Sequence, residues 1–422
     1  MCFNDDYWES NCLSTALSRT GEALLTLDID LDSQYAFNWL SGLESIFPRV
    51  ETLYLTGLPV RFSHDGNSAD NAFPNLRKLG VTAKFDALDL ERQPDGIPTL
   101  DWNMMLSIIR SSAPPHELTL THDFGDCHIP REDIFLNPSA LPFSLGELTK
   151  LTLRAGCLIA MAPLLRACPF LSTLSLFNVD LHGGMPLPDD NMITLPSLQS
   201  LNLSGSDIYN VLWHLQCPQL RHLTATSSHS LSPFDLQGIV SRSQCVLQTL
   251  DIHIPYYPWD LDKRGRSSHE EIWRNILPLL SCLETLTLRL GRGYITSILP
   301  QLTKPHAFPL LSSLIARFDE NAFSNVLWPG AEATTRDDAE NALERFFSAC
   351  IYKADGGVLS TLDVQFGYSL YVQDQDQNDI NLLRQNSRLL VQMHRWKGEG
   401  VHIRASHVKP THGFHYSNED LV

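Results

Sequence analysis

The side chains of this sequence best suited to move a proton are Asp28, Asp30, His222, Asp251 and His253. An imidazole changes charge near neutral pH, and a carboxylate beside it can orient it or take its proton, so these residue types fit general acid–base work if the fold brings them together. A metal centre asks for more. His222 is remote in sequence from Asp251 and His253, and no further ligand lies at close spacing, so solvated or hydrogen-bonded histidines are expected at both positions and no metal. The local signatures of nucleophilic, phosphate and zinc chemistry, G-x-S-x-G, G-x-x-x-x-G-K-[ST], H-E-x-x-H and close cysteine pairs, are missing from the sequence. No cofactor is expected. An active site assembled from separate strands would leave no local motif, so a small-molecule or enzymatic pocket stands as the alternative to a binding surface.

A second set of residues is suited to holding a partner rather than transforming one: Tyr54, Arg154, Phe177, His222, Asp251, His253, Arg289 and Arg317. An arginine offers a rigid fork of N–H donors, and aromatic rings bring a large contact area with few rotatable bonds. Phe177 is the sharpest of these. An aromatic at an outward strand position exposes a large apolar face unless something covers it. The Ser and Thr residues that alternate with these anchors are also ordinary strand formers on a solvated sheet.

What must position the anchors is an internal repeat. The triplet L-x-x-L-x-L occurs as Leu24/Leu27/Ile29, Val50/Leu53/Leu55, Leu76/Leu79/Val81, Leu148/Leu151/Leu153, Leu171/Leu174/Leu176 and Leu198/Leu201/Leu203. It continues as Leu220/Leu223/Ala225, Leu247/Leu250/Ile252, Leu283/Leu286/Leu288, Leu311/Leu314/Ala316 and Leu359/Leu362/Val364, with a weaker copy at Pro115/Leu118/Leu120. Most starts are spaced as in leucine-rich repeats, about 20 to 29 residues apart, and a few intervals carry insertions. Between the triplets lie segments with helical spacing, at Ala36–Phe47, Met104–Ile109, Ile208–Leu215, Phe234–Val240, Ile272–Leu280 and Ala342–Phe347. Phe73-Pro74-Asn75-Leu76 and Phe308-Pro309-Leu310-Leu311 predict turns into a strand, since proline ends the helical segment before it.

The pattern predicts an α/β fold of the leucine-rich-repeat solenoid or horseshoe kind. Eleven or twelve short parallel strands would line the concave side and helices the convex side, because neither element can bury its apolar face alone. The residues between the apolar ones then point outward: Thr26, Asp28 and Asp30 in the first repeat, Thr285, Thr287 and Arg289 near the end, Thr361, Asp363 and Gln365 in the last. Insertions at 57–73, 84–99, 121–142, 181–196, 255–269 and 318–340 are long enough to fold over an edge and narrow it. The aromatic run Pro255-Tyr256-Tyr257-Pro258-Trp259 is the most distinctive of them.

Hydrophobic residues make up 43% of the chain and charged residues 19%, enough apolar material for a continuous core. The net charge of -17 repels phosphate backbones, and the densest basic spot, Lys263-Arg264-Gly265-Arg266, is short, so nucleic acid is not expected as a partner. Nine scattered cysteines without metal spacing suit a reducing compartment. With no basic leader and no apolar run of about 20 residues, a soluble protein of cytosol or nucleus is expected, without membrane contact.

Once the repeats are laid out, the chain resembles the leucine-rich-repeat portion of basidiomycete F-box-type proteins. The resemblance is carried by Ala16-Leu17-Ser18-Arg19-Thr20-Gly21-Glu22-Ala23-Leu24-Leu25-Thr26-Leu27, by the Phe/Cys-Pro-x-Leu-x-x-Leu segments at Phe73, Cys168 and Cys217, and by a helix-then-strand cap over Leu382–Val401. It implies a protein-recognition scaffold that selects the substrate of a Skp–cullin-type ubiquitin ligase. The F-box itself is not found in this chain, so a Skp-type adaptor would be a partner only if an F-box is supplied elsewhere. The expected organisation is an N-terminal helical cap over 1–23, about twelve irregular repeats with their C-terminal cap over 24–404, and a flexible tail over 405–422.

Overall fold

The computed structural model describes residues 19–30, 44–57, 73–84, 100–101, 114–123, 134–135, 141, 143–180, 192–205, 208–227, 233–254, 275–290, 299–303, 308–318, 336–352, 359–366, 388–410 and 416–420. The fold is mixed α/β, with a large, mostly parallel β-sheet flanked by helices. The chain divides into two compact units, Met1–Gln199 with His214–Cys217, and Ser200–Trp213 with Pro218–Val422.

In the first unit, β1 (Leu25–Asp30), β2 (Val50–Gly57), β3 (Lys78–Lys84), β4 (Glu117–Asp123), β5 (Lys150–Cys157) and β6 (Thr173–Asp180) pair in chain order, each parallel to the next. In the second, β7 (Ser200–Gly205), β8 (His222–Ser227), β9 (Thr249–Ile254), β10 (Thr285–Leu290), β11 (Ser313–Phe318), β12 (Thr361–Phe366) and β13 (His402–Pro410) do the same. The last strand, β14 (Tyr416–Asp420), returns antiparallel to β13.

The register follows from the triplet. Leu27, Leu53, Leu79, Leu118, Leu151 and Leu174 form one inward column of the first unit, each at most 2% exposed, and Leu201 through Leu362 form its counterpart in the second. Burying one such leucine is worth about 1.5–3 kcal/mol, so the columns dominate the stability of each unit. The first copy departs from the rest: Leu24 is 53% exposed, whereas Val50, Leu76 and Leu148 at the same place in later copies are buried.

Helices cover the other face where the apolar spacing places them. In the first unit α1 (Leu158–Arg166) buries Leu158, Met161, Ala162 and Leu165. The second unit holds α2 (Ile208–His214), α3 (Pro233–Ser243), α4 (Arg336–Ile351) and α5 (Arg388–Gly398). In α4, Leu343, Phe346, Phe347, Cys350 and Ile351 are all buried, the i, i+3, i+4, i+7, i+8 stripe of a helix with one packed face. Phe347 meets Trp396 of α5 edge-on, with ring centroids 6.3 Å apart. Of the helices expected from sequence, Met104–Ile109 lies outside the described residues, and the Ala36–Phe47 segment is described only as the 3-10 turn Glu44–Arg49.

Two local devices recur at the start of the strands. The first is a turn in which the leucine N–H reaches back three residues, as Leu76 to Phe73 (3.2 Å), Leu171 to Cys168 (3.2 Å), Leu198 to Leu195 (3.3 Å) and Leu311 to Phe308 (3.3 Å). Proline at the second turn position supplies the required φ in all four. The second is a hydroxyl at the residue after that leucine, which donates to the carbonyl of the matching residue one repeat earlier. Thr149 donates to His116 (3.1 Å), Ser172 to Thr149 (3.0 Å), Ser312 to Glu284 (3.1 Å) and Ser360 to Ser312 (2.7 Å).

The C-terminal part extends further than the triplets foretell. Gly400, at φ +95°, closes α5: its N–H bonds Lys397 O and the Val401 N–H bonds Trp396 O, which together make a Schellman cap. The chain then enters β13, with Ile403 opposite Leu362 and 3% exposed, although no leucine triplet precedes it. The described strands of the two units include both β13 and β14, more than the eleven or twelve expected. Residues 405–410 and 416–420 are strand rather than the flexible tail expected from 405 onward.

Candidate functional site

Because side chains alternate along a strand, the residues flanking the buried columns form outward rows, and the register fixes which of them face one another. In the first unit, Tyr54 of β2 stands opposite Gly80 of β3 and is 43% exposed. A Cβ at Gly80 would lie 2.4 Å from the ring, so the tyrosine packs over the space the missing side chain leaves. Lys78, Glu117 and Lys150 share another row, with the carboxylate between the two ammonium groups at 3.4 and 3.5 Å. Arg154 of β5 faces Phe177 of β6, its guanidinium 4.9 Å above the ring centroid. Phe177 is therefore only half-exposed, because a neighbour on its own sheet covers part of the face that the sequence leaves open.

In the second unit the register brings together Asp251, His253, Arg289 and Arg317. His253 of β9 faces Arg289 of β10, which faces Arg317 of β11, which faces Gln365 of β12. In the next row Asp251 faces Thr287, and Asp363 faces Ile315. Arg289 Nη2 lies 3.6 Å from Asp251 Oδ2, a diagonal contact between rows. Gln365 Nε2 donates to Asp363 Oδ2 at 3.0 Å. Partial burial holds the Arg317 guanidinium below its ordinary pKa, and the adjacent Arg289 pushes the same way, while Asp251 and Asp363 oppose both. Four polar atoms of this cluster are enclosed without a hydrogen-bond partner: Arg289 Nε, Arg317 Nε, Asp251 Oδ1 and Asp363 Oδ1.

The remaining acid–base candidates are not gathered with these. Asp28 and Asp30 lie on β1 of the first unit, and His222 is exposed at the start of β8 opposite Thr249 rather than Asp251. Among the described residues no three His, Cys, Asp or Glu side chains come together as a metal would need. Two of the described thiols are shielded: Cys168 Sγ donates to Leu164 O at 3.1 Å, and burial pushes its pKa up to about 12 and that of Cys245 to about 11, which leaves both as inert thiols at neutral pH. A depression in the second unit is lined by Thr303 and by Asn341, Glu344, Arg345 and Ser348 of α4, none of them an anchor. No helix among the described residues is long and apolar enough to cross a membrane.

From the sequence, Asp251, His253, Arg289 and Arg317 are named as anchors, and Asp363 and Gln365 only as outward residues of the last repeat. The signal that finds them is positional: an outward residue matters when its counterpart on the next strand is charged. The Pro255–Trp259 run, the Lys263–Arg266 spot and most of the long insertions lie outside the described residues. Compared with protein-family models and with curated proteins, the chain matches none.

Proposed function

We propose that the chain is a leucine-rich-repeat solenoid of the horseshoe kind, and that it works as a protein-recognition scaffold whose outward strand rows hold the partner. The observation that carries this reading is the grouping of Asp251, Arg289 and Arg317, beside His253, on the three neighbouring strands β9, β10 and β11, where Asp251, Arg289 and Arg317 each keep a polar atom without a hydrogen-bond partner. Side chains with unmet hydrogen bonds on a sheet face stabilise little by themselves and suit contact with a second molecule. The recurring turn and hydroxyl link support the repeat assignment, since the same turn precedes β3, β6, β7 and β11 and the same hydroxyl bond ties β5, β6, β11 and β12 to the strand before. The resemblance to the repeats of F-box-type proteins extends the proposal to choosing the target of a ubiquitin ligase, with the adaptor-binding F-box supplied by another segment or chain.

The test is affinity capture from the source organism's extract, read by mass spectrometry, with the intact chain and a variant changed at Phe177, Arg289 and Arg317. A protein captured by the intact chain and lost by the variant supports recognition through these rows. Co-recovery of a Skp-type adaptor supports the ligase role. A retained small molecule or a turnover product without any protein overturns the reading in favour of a pocket or an enzyme.

A further inference from the structure

Strand interiors seldom hold glycine, because it weakens the strand and brings no side chain to pack; where it occurs, another group often approaches closely. Gly80 of β3 is such a position, and the group is the Tyr54 ring of β2. A Cβ at Gly80 would lie 2.4 Å from Tyr54 Cδ1 and 2.8 Å from Cε1, so one edge of the ring rests in the gap. The edge is held while 43% of the residue stays in solvent. A ring already fixed in place loses little freedom when a partner stacks on it.

Two other rings of the chain show what this sequence sets on an aromatic face. Arg154 lies over Phe177 at 4.9 Å and Arg242 lies over Trp213 at 5.8 Å. Among the described residues no arginine or lysine lies over Tyr54 in this way. The charges beside it suit a cation brought from outside. Asp28 of β1 stands opposite Tyr54, one strand step or about 4.8 Å away, and the exposed Asp30 follows on the same face. Lys78, two residues before Gly80, has Glu117 as its counter-charge at 3.4 Å. A carboxylate offers about four acceptor sites, so the contacts Asp28 and Asp30 make within the chain leave room for a further donor.

The ligand's chemistry follows from these neighbours. An anion would be repelled by both aspartates, and a neutral sugar ring could stack on Tyr54 without meeting their charge. An ammonium is a point charge, whereas a guanidinium is planar, so it can stack on the ring and still turn N–H groups to a carboxylate. We infer that Tyr54, with Asp28 and Asp30, seats an arginine side chain of the protein partner, which rests on the recognition reading above and gives that partner a basic residue over β1 and β2.

The full chain is made with meta-fluorotyrosine, the Tyr54 fluorine signal is assigned with Tyr54→Phe, and it is followed up to about 10 mM ligand, the range of a contact this small. The probes are pentapeptides with blocked ends and a central arginine, lysine or citrulline, the last keeping the shape without the charge, and the neutral oligosaccharide maltohexaose. A saturable shift is expected with the arginine peptide, binding at least about three-fold weaker with lysine, and no shift with citrulline. Asp28→Asn removes a charge and Gly80→Ala presses a methyl group into the ring edge; each should weaken the arginine peptide at least about three-fold. Phe170→Ser, which removes another exposed ring of the same unit, should leave binding unchanged. No shift with the arginine peptide, an equal response to lysine or citrulline, saturation by maltohexaose, or undiminished binding after either Asp28→Asn or Gly80→Ala overturns the assignment. If a captured protein is retained undiminished by Tyr54→Ala, recognition stands and this inference falls. If the arginine peptide binds as expected and the intact chain captures no protein, the seat stands and the recognition reading falls.

Discussion

Two pairs of residues occupy equivalent places in the two units and behave differently. Arg154 faces Phe177 across one strand step in the first unit, and Arg289 faces Arg317 across one strand step in the second. In the first pair a cation finds a π-face at 4.9 Å, and each residue covers part of what the other would expose. In the second, a cation finds another cation and borrows a carboxylate from the neighbouring row at 3.6 Å. The backbone geometry is the same; the first pair is close to complete within the chain, whereas the second leaves hydrogen bonds unmet. An outward arginine is thus informative about binding only when its cross-strand counterpart is known.

The contrast can be broken from either side. Asp251→Ala should have the largest effect, a loss of about 2 kcal/mol of stability in urea unfolding, because it leaves Arg289, opposed by Arg317, without its ion-pair partner. That figure lies between the cost of breaking a fully buried pair and the small worth of an exposed one. Phe177→Ser should weaken capture of the protein partner by more than about 1 kcal/mol while leaving the melting temperature nearly unchanged. An unchanged affinity would remove Phe177 from the interface, and a large fall in melting temperature would mark it as a core residue. Arg317→Met should raise stability by about 1 kcal/mol, since it replaces a half-buried, unpaired cation with an apolar chain of similar length. The Asp251→Ala/Arg317→Met double variant should recover part of the loss, a coupling that a double-mutant cycle reads directly. Arg154→Met should have the smallest effect, a destabilisation of about 0.5 kcal/mol from the lost cation–π contact. A larger loss there would show that the first pair carries more of its unit than its geometry suggests.

Much of the fold is legible in the sequence because period and burial coincide. Wherever L-x-x-L-x-L was read from Val50 to Val364, a strand of the parallel sheet begins at or near the triplet and the triplet's residues are buried. Beyond Val364 the pattern ends. β13 has no leucine triplet and is positioned by the Gly400 cap and by pairing with β12, and β14 is an antiparallel return that no repeat encodes. The candidate site was half legible. Alternation identifies which side chains point outward, and so it supplied Arg289 and Arg317. It cannot state the relative register of two strands separated by an insertion, and that register is what sets Gln365 against Arg317 and brings Asp363 into the cluster. Phe177 shows the same limit from the other direction, because its cover comes from a strand 23 residues earlier.

The hydroxyl link between successive strand starts has an evolutionary side. Ser172 reaches Thr149 across 23 residues at 3.0 Å, and Ser360 reaches Ser312 across 48 residues at 2.7 Å, so the bond does not depend on how much chain intervenes. Loop closure grows costlier only with the logarithm of length, by about 0.6 kcal/mol per doubling. Each linked repeat is in this sense a socket of fixed shape: the segment between two links can be lengthened, shortened or exchanged for another without moving the strands it joins. A lineage can then rewrite what borders the strand rows by swapping insertions while the rows themselves, with their arginines, stay where they are.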